Sequence, residues 1–168
     1  METRLEHILT NSYKKELMAH MRSHPEDFNE VIKLALADRY PYSWRAAWLL
    51  WSVIEQNDPR IRDHLDDIVD ALPERGDEQV RELMILLQRM DLNNKKAGKL
   101  FAICVGIWEK TGKKPSVRFN AFKLMIEVIK RHPELAKELP FLTESRYTES
   151  LSDSVKRSVS RKVSALDQ

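Results

Sequence analysis

Apolar residues recur every three to four positions almost from end to end of this chain, the pattern of helices that each bury one stripe. Leu5, Ile8, Leu9, Tyr13, Leu17, Met18 and Met21 open it. Asn11-Ser12 is either a break, with Ser12 capping a second helix, or a stretch through which one helix runs. His24-Pro25 ends whatever precedes it, because proline pushes the residue before it out of the α conformation. Pro25 then suits the first turn of a helix carrying Phe28, Val31, Ile32, Leu34, Ala35 and Leu36.

Residues 43–72 read as one helical hairpin. In its first helix Ala46, Ala47, Leu50, Val53 and Ile54 share a face, with Arg45, Ser52 and Gln56 opposite and Trp44, Trp48 and Trp51 on a flank between. So wide an apolar arc calls for neighbours on two or three sides. Asp58 is a good N-cap and Pro59 a good first residue for the second helix. That helix carries one stripe of Ile61, Leu65, Ile68, Val69 and Leu72, with Asp63, Asp66, Asp67 and Asp70 elsewhere.

Asp77 is placed to cap a helix with Val80, Leu83, Met84, Leu86, Leu87 and Met90, and Asn93 or Asn94 to start the next, running to about Thr111. In that helix Gly98, Ala102 and Gly106 fall at i, i+4 and i+8. Each glycine costs about 1 kcal/mol against alanine, and a small-residue ridge admitting a close neighbour would offset it. Gly112 to Pro115 stops the helix with a left-handed glycine and a proline. Ser116 then caps a helix from Val117 to Ile129, His132-Pro133 repeats the earlier break, and Ser152 to Leu166 forms a terminal helix with a narrow valine stripe.

Two markers keep one period. Trp44-Arg45, Val80-Arg81 and Val117-Arg118 are spaced by 36 and 37 residues, and Pro59 and Pro133 by 74, twice 37. Helix pairs with Val-Arg near the start of the first helix and a proline-led second helix resemble HEAT-type repeats of the armadillo-like superfamily. The resemblance covers about residues 10–147, with a period shorter than the roughly 40–47 residues usual for HEAT. It implies an all-α superhelix, or solenoid, in which stacked hairpins bury what no single hairpin conceals. The expectation is one domain, 1–168, with hairpins at roughly 3–38, 43–72, 77–111 and 116–147 and a capping helix at 152–166.

Charge alters the picture. Residues 1–90 hold 12 Lys and Arg against 17 Asp and Glu, a balance of −5, while residues 91–168 hold 16 against 9, or +7. Such polarity points to an anionic partner at the basic end or to a solvated face unevenly decorated. The charged start, Met1-Glu2-Thr3-Arg4, lacks the apolar stretch of a secretory signal. The longest uncharged apolar run, Leu100 to Trp108, is nine residues, against the roughly 20 a membrane-spanning helix needs. A single cysteine, Cys104, lies inside that run and reads as a small buried hydrophobe in a reducing, cytoplasmic setting.

The candidate chemistry is sparse. Tyr40, Tyr42, Trp44, Trp48 and Trp51 form an aromatic cluster that either packs between repeats or opens an edge to a base or peptide. Glu16, His20 and His24 share a helical face but lack the closing donors of a tetrahedral site, so no metal or cofactor is expected. No catalytic motif is present, and the chain reads as non-enzymatic. The densest basic cluster is Lys95, Lys96, Lys99, Lys110, Lys113, Lys114 and Arg118; Lys156, Arg157, Arg161 and Lys162 form a second. Candidate partner-binding residues are Lys95, Lys96, Lys99, Lys113, Lys114, Arg118, Trp44 and Trp48. The resemblance implies a scaffold for a protein or peptide partner; the Trp-rich flank allows a homodimer as well as a monomer, and the short apolar run leaves no membrane expected. The alternative is a nucleic-acid binder using the basic C-terminal half. Some HEAT-like proteins are DNA alkylation repair glycosylases; this chain resembles them in helical architecture alone, and no catalytic residue carries over.

Overall fold

The computed structural model describes residues 1–92 and 95–167, so the expected helix start at Asn93 or Asn94 lies outside the described residues. All regular structure among them is helical. Contacts group the chain into two compact units, residues 1–90 and 91–168. That division falls where the charge balance changes from −5 to +7.

The first unit is organised around one helix. It comprises α1 (Arg4–Asn11), α2 (Lys14–Ser23), α3 (Phe28–Leu36), α4 (Tyr42–Val53), α5 (Pro59–Arg62), α6 (Leu65–Ala71) and α7 (Asp77–Gln88). Helix α1 starts at a capping box: the Glu6 amide donates to Thr3 Oγ1 at 3.1 Å, and the Thr3 amide donates to the Glu6 carboxylate at 2.9 Å. Asn11-Ser12 is a break, and α2 starts where the Tyr13 amide donates to Glu16 Oε2 at 2.8 Å. Pro25 opens a short 3₁₀ turn rather than α3 itself, which begins at Phe28.

Helix α4 packs against α1, α2, α3 and α7. Ala46 and Ala47 are fully buried, and their small side chains let those neighbours come close to the backbone. The α4–α7 contact stacks helices one 36-residue period apart, as a repeat demands. The second helix of the central hairpin is divided where one continuous helix was expected. Asp63 and His64 interrupt it, and the His64 amide donates to Ile61 O at 2.8 Å in a tight turn. Neither residue is a strong helix former, and the break leaves Ile61, Leu65, Ile68 and Val69 all buried.

The second unit contains α8 (Ala97–Glu109), α9 (Pro115–Arg131), α10 (Leu139–Leu142), α11 (Ser145–Thr148) and α12 (Asp153–Ala165). Helix α8 ends before Gly112, which is not left-handed. Pro115 is already the first residue of α9, so Lys114, not Ser116, takes the cap position. Gly76 likewise precedes α7 in place of the expected Asp77 cap. Ser152 caps α12 as its spacing implied, accepting from the Val155 amide at 3.3 Å.

The expected ridge on α8 does not receive a neighbour. Gly98, Ala102 and Gly106 are exposed, and a Cβ built on either glycine would meet nothing within 4 Å. The buried face is instead Ala97, Leu100, Phe101, Cys104 and Trp108, which packs on α9. The larger side chains claim the core, and the small residues are left outside.

Candidate partner-binding surfaces

Arg118 must be removed from the expected basic surface. It is 1% exposed, because its guanidinium holds the core of the second unit together. Its Nε–H donates to Trp108 O at 2.9 Å and its Nη2–H to Tyr147 O at 2.6 Å, while the guanidinium carbon lies 4.7 Å from the centre of the Trp108 ring. Burial pushes its pKa below the usual arginine value. Trp108 completes the arrangement: its indole N–H donates to Leu142 O at 2.7 Å and its ring packs on Phe122 at 4.8 Å. Together these contacts bind the α8–α9 pair to the end of α10 and to α11.

The lysines of the first cluster are not gathered at one place. Helices α8 and α9 are joined by a short connection and run antiparallel. Lys95, Lys96 and Lys99 stand at the start of α8, whereas Lys113 and Lys114 precede α9 at the other end of the pair. A 13-residue helix separates the two groups by about 20 Å. Lys95, Lys99 and Lys114 are exposed, Lys96 and Lys113 half-buried.

The second basic cluster makes a better-defined surface. Helix α12 rests on α9 with Val159 as its one buried residue, and a cavity lies along each flank. One, of about 460 Å³, is walled by Lys156, Val159, Val163 and the hydroxyls of Thr143, Thr148 and Ser160. The other, of about 270 Å³, has Ile126 and Ala165 with Lys130, Arg161 and Lys162 around them. Lys123 sits beside these groups, its pKa lowered by burial and by the Lys162 charge. Lys130 has a carboxylate partner, Glu127, at 2.9 Å.

In the first unit the three indoles of α4 are half-buried. Trp51 Nε1 donates to the buried carboxylate of Glu82 at 2.6 Å, and Lys14 lies 5.7 Å from Trp48 and 5.8 Å from Trp51. Arg45 stacks on Trp44 at 4.9 Å and donates to Leu9 O at 3.3 Å. The cluster is therefore largely internal. The exception is Trp44, whose indole N–H is buried with no acceptor and which lines a cavity of about 140 Å³ with Asp38, Tyr40, Ser43, Gly76 and Glu78. Tyr40, at 75% exposed, stands at its rim.

The histidines are engaged among themselves: His20 Nε2 lies 2.7 Å from Asp27 Oδ2 and its ring stacks on His24 at 4.3 Å. Among the described residues no group of three or more His, Cys, Asp or Glu is placed to hold a metal. No described helix is long and apolar enough to cross a membrane.

With this geometry in place, comparison with known families is decisive on one point. The model of the HEAT repeat domain matches residues 1–166, and the chain belongs to that family. Its architecture is the all-α helical repeat which that membership entails. No curated protein and no solved structure matches the chain.

Proposed function

We propose that this chain is a non-enzymatic helical-repeat scaffold that binds a protein or peptide partner, and that the partner docks along α12. HEAT repeats commonly mediate protein interactions, which supports the general reading. The observation that carries the particular one is the cavity between α9 and α12. Its apolar surface, Ile126 and Ala165, is bordered by Lys130, Arg161 and Lys162. An amphipathic helix with an acidic flank matches both features, its apolar side on Ala165 above the buried Ile126 and its carboxylates on the three cations. The non-enzymatic part of the reading is supported by the buried polar side chains, which serve structure: Glu6 pairs with Arg39, Glu82 with Trp51 and Arg81, Asp58 with Arg60.

The +7 balance of the second unit favours one other reading, nucleic-acid binding through the same cations. Fluorescence anisotropy separates them. A labelled acidic amphipathic peptide is titrated against the protein and against Lys130→Glu/Lys162→Glu, in parallel with a labelled duplex oligonucleotide. The peptide should bind, its charge-reversed counterpart should not, and the double variant should lose binding of the acidic one. Duplex binding whose logarithm falls steeply with log salt, with no peptide binding, would instead establish the nucleic-acid reading.

A further inference from the structure

The cavity beside Trp44 is a second surface, built on the first unit alone and independent of α12. Its chemistry is opposite in sign. Asp38 precedes α4 and Glu78 lies in the first turn of α7, yet both line one space. The stacking of α4 on α7 brings them together. Both carboxylates are exposed, and no ion pair or hydrogen bond to either exists among the described residues. Tyr40 and Trp44 supply aromatic surface, and Trp44 adds the buried N–H without an acceptor.

The guanidinium groups nearby face other groups, although Arg45 Nε is buried without an acceptor. Arg39 holds the buried Glu6 and stacks on Tyr42 at 5.6 Å, and Arg45 is on Trp44 and Leu9 O. Arg75 donates to the carbonyls of Leu36, at 2.8 Å, and Ala37, at 3.2 Å. Gln79 donates to Ala35 O and Ala37 O and is likewise committed. The cavity thus presents two carboxylates without partners and the exposed Tyr40 ring, beside Trp44, whose ring already carries Arg45.

From this geometry we infer that the Trp44 cavity receives the cationic side chain of an arginine or lysine in a peptide segment. The cation lies against Tyr40 and between the carboxylates of Asp38 and Glu78, with Trp44 as the neighbouring wall whose indole reports on its arrival. A positive group over an aromatic face and beside a carboxylate is attracted by both, more strongly as water is excluded. The size agrees. A dry cavity of about 150 Å³ takes a ring of six carbons, and the last six heavy atoms of an arginine side chain need comparable room within about 140 Å³.

The test is heteronuclear NMR on the ¹⁵N-labelled full chain, following the Trp44 indole N–H resonance, which is assigned by its disappearance in Trp44→Phe. The probes are acetyl-Gly-Arg-Gly-amide, the same peptide with citrulline, a neutral isostere of arginine, and the same peptide with glutamate. The arginine peptide should shift the resonance saturably at up to about 10 mM, the affinity range of one anchored side chain. Asp38→Asn/Glu78→Gln, two changes of exposed side chains that leave the fold intact, should weaken it by about tenfold. Four outcomes overturn the inference: no shift, equal shifts with arginine and citrulline, preference for glutamate, or undiminished binding in the double variant. Preference for glutamate would mark the start of α7 as an anion site instead. None of these outcomes bears on the α12 surface, so the two proposals fail separately.

Discussion

Replacing Arg118 should damage the fold of the second unit far more than it damages any surface. The side chain makes two hydrogen bonds from a charged donor, to Trp108 O and Tyr147 O, and one guanidinium–ring contact at 4.7 Å. Such bonds contribute about 1.5–3 kcal/mol each, and a desolvated cation–ring contact about 2. Against them stands the cost of keeping a cation out of water, several kcal/mol per buried ion. Arg118→Ala removes that cost but also strands two carbonyls and empties the space of the aliphatic stem, so the net loss is about 3 kcal/mol. With a urea dependence of about 2 kcal/mol/M, the unfolding midpoint followed by far-UV circular dichroism falls by about 1.5 M. Arg118→Lys should fall between wild type and alanine, since one ammonium cannot reproduce a planar fork that bridges two acceptors and stacks on a ring. A midpoint for Arg118→Ala within about 0.3 M of wild type would refute the assignment of this arginine as a structural tie.

Three further outcomes follow from described contacts. Gly98→Ala and Gly106→Ala should each stabilise the protein by about 0.5–1 kcal/mol, because a methyl at either position meets only solvent; destabilisation in thermal melts would restore the packing-ridge reading. Asp58 is held down to a pKa of about 2, chiefly by its bonds from Arg60 and then by the Arg60 and Glu55 amides. A carboxylate depressed in the folded state stabilises above the unfolded pKa near 3.9 and stops doing so as pH falls through 2. Asp58→Asn should therefore cost about 1–2 kcal/mol in urea melts at pH 6 and only a few tenths near pH 2, where the folded carboxyl is about half protonated. Cys104 is fully buried and burial pushes its thiol pKa upward, so reaction with an aromatic disulfide reagent should track global unfolding; rapid native labelling would contradict its placement.

Apolar spacing made most of the architecture legible, because burial is recorded directly in which residues are greasy. The hub role of α4, the helical breaks at His24-Pro25 and the Ser152 cap all follow from local chemistry. What spacing could not record was which face meets which neighbour. Gly98, Ala102 and Gly106 mark a stripe correctly, yet nothing in their spacing says that α9 prefers the face of Leu100 and Trp108. Arg118 looked like a surface charge because its acceptors are backbone atoms, one of them 29 residues downstream, and carbonyls leave no trace in side-chain pattern. The lysine cluster was dense in sequence and dispersed in space because an antiparallel helix pair lies within it. The Trp44 cavity did leave a signal: a period of 36 sets Trp44 beside Val80, and hence Tyr40 beside Gly76. The repeat thus brings the approach to α4, with Asp38, near the start of α7, with Glu78.

The position of α4 has a consequence for how this chain emerges from the ribosome. Helices α1 to α3 are synthesised before it, but α7, the neighbour that covers its remaining side, ends about 35 residues after α4 does. At ordinary translation rates of about 5–20 residues per second that interval is roughly 2–7 s. For those seconds an indole-rich helix waits with one flank bare.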